Sequence, residues 1–174
     1  MDSSEDAATD VAADMTADSA DAEPDGMTSG CPEEAFDLVE ATADVPFAIP
    51  DTFDDTSDTW MAPIDMCPAD ALSDESVPYV VYTYCNGRDV TTDYLFGMQA
   101  DDEEGPLEPL LVAYSGTGIP SDPAACGARE EAFGGFTNVE LAITLEPYEV
   151  VTIVSTLQSA AEGGFLSTAE PVAE

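Results

Sequence analysis

The chain has 174 residues, room for one domain of ordinary size. Its 38 Asp and Glu stand against two basic side chains, Arg88 and Arg129, with no His, a net charge of −36. Such a surface repels phosphates, which excludes nucleic acid and anionic membranes as partners, and without His or Lys the Ser–His–Asp, Cys–His and Ser–Lys mechanisms are out of reach.

Residues 1–30 hold nine of the acids, no base and no aromatic, padded with Ala, Ser and Thr. That composition cannot bury enough apolar surface to order itself, so 1–30 is expected to be a disordered acidic leader and 31–174 a folded domain. The domain keeps 29 acids and both arginines, a net −27, so the acidity is not confined to the leader. Like charges on a small compact body repel one another unless salt or divalent ions screen them. A saline or calcium-containing medium is the expected setting, and a halophile's cytoplasm is its rival. Met1 is followed by Asp2, Ser3, Ser4 and Glu5 without the basic start and apolar stretch of an export signal, so the chain reads as a mature form whose signal or anchor lay upstream. No apolar run reaches the roughly 18 residues that a membrane-spanning helix needs.

From Phe36 onward, short apolar stretches alternate with Pro, Gly, Asp and Ser, the pattern of an all-β domain. Weak strands are expected at 36–39 and 45–49. Stronger ones follow at 79–85 (YVVYTYC), 92–98 (TDYLFGM), 110–115 (LLVAYS), 139–145 (VELAITL) and 148–155 (YEVVTIVS), and a weak one closes the series at 164–168. In 139–145, Val139, Leu141, Ile143 and Leu145 alternate with Glu140, Ala142 and Thr144, which puts one face in a core and the other in water. Seven or so such strands suit two packed antiparallel sheets, a jelly-roll-like β-sandwich.

The cysteines, Cys31, Cys67, Cys85 and Cys126, are even in number and widely spaced. Without a CxxC pair or a His they read as two disulfides rather than a zinc site, and disulfides belong to an extracellular or cell-envelope location. Three connectivities are open; proximity along the chain favours Cys31–Cys67 with Cys85–Cys126.

Hard-cation ligands are sought among the acids. Asp101, Asp102, Glu103 and Glu104, ahead of Gly105-Pro106, form one candidate calcium loop, and Asp51, Asp54, Asp55 and Asp58 a second; for each the plainer account is a solvated loop. Asp21, Glu23, Asp25 and Gly26 begin like an EF-hand loop, but its twelfth position is Pro32 where a bidentate Glu belongs. Asp55-Thr56-Ser57 lacks the Gly of an aspartic-protease triplet and has no second copy, and Gly116-x-Gly118 lacks the third Gly of a dinucleotide loop. Trp60 with Met61, and Phe133 with Phe136, fit buried sheet edges better than a binding surface. Arg88 and Arg129 are expected inside carboxylate clusters as structural ties.

The order of pieces resembles the bacterial pre-peptidase C-terminal domain family over roughly 31–170. The residues that carry the likeness are DTFDDTSDTW (51–60), PYVVYTYC (78–85), LLVAYSG (110–116), AACGAREE (124–131), VELAITLEPYEVVTIVS (139–155) and GGFLST (163–168). Two positions depart from the family pattern. Glu146-Pro147-Tyr148 stands where a Gly turn is usual, and Glu108-Pro109 where an aspartate is usual. The resemblance implies a jelly-roll-like sandwich with accessory, non-catalytic duty beside secreted enzymes or surface proteins, some of whose relatives bind calcium, collagen or surfaces.

The function expected is a non-catalytic extracytoplasmic accessory or surface-interaction module. Calcium is its one candidate ion, and a protein or matrix polymer at the cell surface its partner. The alternative is a self-assembling structural subunit of a surface layer or appendage; a small carboxylate-dependent enzyme acting on glycans ranks last.

Overall fold

The structure, a computed structural model, describes residues 30–54, 56–64, 66–100, 108–132, 136–158 and 162–173. The leader expected at 1–30, the EF-hand-like run from Asp21 and the whole of Asp101 to Glu104 therefore fall outside the described residues, apart from Gly30. Ten strands follow in chain order: β1 (Phe36–Asp37), β2 (Phe47–Phe53), β3 (Thr59–Pro63), β4 (Leu72–Cys85), β5 (Thr92–Ala100), β6 (Pro109–Ser115), β7 (Ala128–Glu131), β8 (Asn138–Leu145), β9 (Val150–Leu157) and β10 (Gly163–Pro171), with one 3-10 turn at Pro123–Ala125. They form an all-β sandwich. One sheet runs β1-β4-β9-β6-β7 with β3 added against β4, and the other runs β2-β10-β5-β8. All pairings are antiparallel except β1 with β4.

The interior lies between the sheets, where Phe53, Tyr84, Tyr94, Phe96, Met98, Leu111, Leu145 and Leu157 are fully buried. β8 follows its alternation: Val139, Leu141 and Leu145 are buried, and Glu140, Ala142 and Thr144 exposed. β9 does not alternate, because it is buried on both faces. Its inner face, with Ile153, joins the main core, and its outer face, with Val154, joins a second cluster of Trp60, Ala62, Val77, Leu110, Val112, Tyr114 and Cys126. A strand covered on both sides has no solvent face, and its buried Thr152, Ser155 and Thr156 are hydrogen-bonded within the protein.

That second cluster explains two departures from the sequence reading. β4 starts at Leu72, seven residues before the expected strand, because its first half pairs with the unexpected β3 and lies over the outer face. The acidic AREE segment, where no strand was expected, is β7, pinned to β6 through Val112↔Arg129 and its neighbours. The strand expected at 148–155 begins later than 148: Tyr148 sits in the turn before β9 with φ at 60°, a left-handed conformation that favours glycine. Glu146-Pro147-Tyr148 thus makes its turn with a tyrosine and no glycine. The Tyr148 ring lies against Gly30, where an added Cβ would come within 2.9 Å of its Cγ.

The disulfides form, but not in the expected pairing. Cys31 bonds to Cys85 and Cys67 to Cys126, with Cα separations of 5.7 and 5.2 Å. Proximity along the chain misleads here because strand pairing decides which cysteines meet. β1 runs parallel to the end of β4, with Asp37 opposite Cys85, and carries Cys31 there. The loop holding Cys67 folds over the outer face toward the 3-10 turn, where the Ala69 amide donates to the Ala124 carbonyl at 2.8 Å.

Candidate functional site

Several clefts open on the sandwich, and two of them bear on its function. The first, of about 460 Å³, lies at one end of the four-stranded sheet among Pro50, Asp51, Gln99, Thr137, Phe165 and Leu166. The strand register sets it up: Asp51 of β2 faces Phe165 of β10, which faces Ala100 of β5. One Asp51 oxygen accepts a hydrogen bond from the Thr52 amide at 2.8 Å, and the other accepts from the Tyr82 hydroxyl at 2.7 Å. Burial, and then the Asp51 carboxylate as an acceptor that holds the proton in place, push the Tyr82 phenol well above its ordinary value.

The other acids of that group serve the chain locally. Asp54 accepts from the Thr56 amide at 2.8 Å, the Thr56 hydroxyl at 2.6 Å and the Ser57 hydroxyl at 3.4 Å, closing an Asx turn between β2 and β3. These bonds, Thr56's hydroxyl foremost, hold its carboxyl below the usual value. The Asp58 carbonyl accepts from the Tyr79 amide at 3.0 Å. Asp55 lies outside the described residues, as do Asp101, Asp102, Glu103 and Glu104. Among the described residues no three acids or cysteines come close enough to share a metal ion.

The second cleft, of about 320 Å³, opens between the sheets at the β7 and β8 edge and is lined by small and apolar groups of four strands, with Glu149 at its rim. Ala113 of β6, Gly127 just before β7, Ala128 of β7 and Ile143 of β8 are among the residues of its wall. Ile143 is only half-buried, while Val139, Leu141 and Leu145 on the same face are buried.

Trp60 is buried against Tyr79 and Tyr114, with ring centroids 5.7 and 6.3 Å away, so it belongs to a core and not to a binding surface. Met61 beside it is exposed. Phe136 corrects the other aromatic expectation: it is 66% exposed and not a buried sheet edge, while Phe133 lies outside the described residues. Arg129 pairs with Glu131 as expected. Arg88 does not meet a carboxylate among the described residues; its Nη2 donates to the Ala41 carbonyl at 2.5 Å.

The polar group that sequence reading passed over is Asn86, fully buried after β4. Its Nδ2 reaches the carbonyls of Val90, Leu145 and Glu146 at 2.9, 3.1 and 3.1 Å, and its Oδ1 accepts from the Tyr94 hydroxyl at 2.9 Å and the Arg88 amide at 3.3 Å. Nothing in a single Asn-Gly dipeptide distinguishes such a clamp from an ordinary turn.

No protein-family model matches the chain, and no curated protein matches it. One solved structure, the pre-peptidase C-terminal domain of collagenase from Bacillus anthracis, aligns at a TM-score of 0.43 and 14% identity over 80% of this chain and 97% of that one. The sandwich described above stands on this chain's own strand pairing and not on that likeness.

Proposed function

We propose that the chain is a non-catalytic accessory module that works outside the cytoplasm and binds a protein or matrix polymer at a cell surface. The pair of disulfides is the observation that supports this reading most. All four cysteines are joined, and such bridges persist in oxidising compartments. Polar groups of the described residues are engaged in the fold: Asp51 with Tyr82, Asp54 with its turn, Asn86 with three carbonyls and Arg129 with Glu131. Glycan hydrolysis needs two carboxyl groups facing each other across the sugar, and Asp51 is the one acid among the described residues lining its cleft. Labelled protein should decorate the surface of the cells that make it, lose that binding after reduction and alkylation, and release no product from glycans or peptides. Turnover abolished by one carboxylate substitution would overturn the reading.

Calcium belongs to the proposal as a stabilising ion. What supports it is the row Asp51, Phe165, Ala100, which brings β5 to its end two strands from Asp51, just ahead of Asp101, Asp102, Glu103 and Glu104. A structural subunit of a surface layer or appendage is the second reading, favoured by the outer edge of β8, which no described strand pairs.

A further inference from the structure

We propose that the free edge of β8, together with the slot between β7 and β8, takes an extended basic segment of another polypeptide as an added strand. This rests on the binding-module reading and names the form of the partner.

The edges of the sandwich are unequally protected. β1 is two residues long, and the side where it faces β2 is plugged by aromatics, with Phe36 and Phe47 centroids 5.0 Å apart and Phe47 and Tyr84 6.0 Å apart. β2 carries Pro50 at its middle, which removes a backbone donor. β7 is four residues long and charged at Arg129, Glu130 and Glu131; Glu130 lies opposite the inward-facing Leu111 yet stays exposed. Short strands, proline and inward charge are how sheet edges avoid pairing with other chains. β8 has none of these. It is eight residues long, carries one charge, Glu140, and among the described residues pairs with β5 alone.

Beside it the sandwich is not filled. Ala113, Gly127 and Ala128 leave the 320 Å³ slot on the inner side of that edge, with Ile143 half-buried at its mouth. A strand added to β8 alternates its side chains, so every second one points toward the slot that Glu149 helps to line, and the others lie on the face of Glu140. The slot calls for apolar side chains of one or two branches. The rim calls for cations, and so does the whole chain: a second copy, or the acidic leader, would bring like charge against −36.

The probe is an octapeptide of alternating Lys and Val, titrated into the isotopically labelled full chain in about 0.15 M salt. Backbone amide shifts should concentrate at 138–145 and at Ala128, and the β8 amides should exchange more slowly. The same octapeptide with every backbone amide N-methylated keeps its charge but cannot donate a ladder, and it should bind at least about tenfold more weakly. Ala128→Leu, which fills the slot, should weaken the Lys-Val peptide by a similar factor, its fold being checked by circular dichroism; the shift map on the unchanged protein needs no variant. Equal binding of the two peptides, or shifts scattered over the acidic surface, would overturn the proposal. So would a dimer formed at high salt through 138–145, which would assign the edge to a second copy. If the chain decorates cells but ignores the Lys-Val peptide, this proposal falls and the module reading stands; if it turns over a substrate, the module reading falls instead.

Discussion

Replacing Cys67 and Cys126 together by serine should loosen the outer-face cluster before it loosens the interior. The bridge closes a loop of 59 residues, and the chain-entropy relation assigns such a loop about 4 kcal/mol. That is a large part of the roughly 5–15 kcal/mol by which domains are stable, so the variant should remain folded in salt with a much lower urea midpoint. The Cys31–Cys85 bridge spans 54 residues, and its removal should cost a similar amount. Total stability therefore does not separate the two variants; location does. Trp60, the single tryptophan, sits in the cluster covered by the loop that Cys67 pins. In the Cys67 and Cys126 variant its emission should shift to the red and become open to quencher in buffer, before any urea is added. In the Cys31 and Cys85 variant its native emission should stay as in the parent. An unshifted, unquenched Trp60 in the first variant would mean that packing alone holds the cover, and the argument from the bridge would fail.

Tyr82→Phe removes the donor to Asp51 but leaves a carboxylate that water in the open cleft can solvate, so a loss of about 1 kcal/mol is expected in urea unfolding. Asn86→Ala strands three carbonyls and the Tyr94 hydroxyl, and should cost about 3 kcal/mol; a loss under about 1 kcal/mol would show that water replaces the clamp. Burial raises the phenols of Tyr82, Tyr84, Tyr94 and Tyr114, so the folded state keeps protons that the unfolded state gives up. Their stabilisation is complete below the ordinary value of 10.0 and is lost as pH rises beyond it; tyrosinate absorbance of these four should appear together with the loss of circular dichroism. Sodium chloride should raise the melting temperature by screening a body of net −27, and calcium should exceed magnesium at matched ionic strength, an excess that Asp101→Asn with Asp102→Asn removes.

The sandwich was legible where burial is one-sided. Val139 to Leu145 alternates because water lies on one side of β8, and the YVVYTYC run announces itself by β-branched and aromatic residues. Legibility failed where one element owes its place to another. Thr59 to Pro63 becomes a strand only because the first half of β4 lies beside it, and AREE only because β6 offers a free edge. The disulfide pairing depends on the parallel β1 and β4 contact and on the folding of a loop across a sheet, neither of which leaves a local mark. The cleft at Asp51 likewise depends on a register across three strands. Asn86 looked like any Asn-Gly turn because its partners Leu145 and Glu146 are about 60 residues away.

The two bridges interleave along the chain, since Cys67 falls between Cys31 and Cys85 while Cys126 lies beyond both. A protease that cuts once anywhere from Cys31 to Cys126 therefore leaves two pieces still joined covalently, whichever loop it attacks. Gel bands would divide only after reduction. A domain nicked in that stretch stays one molecule of two chains, and only a cut after Cys126 would let a strand leave.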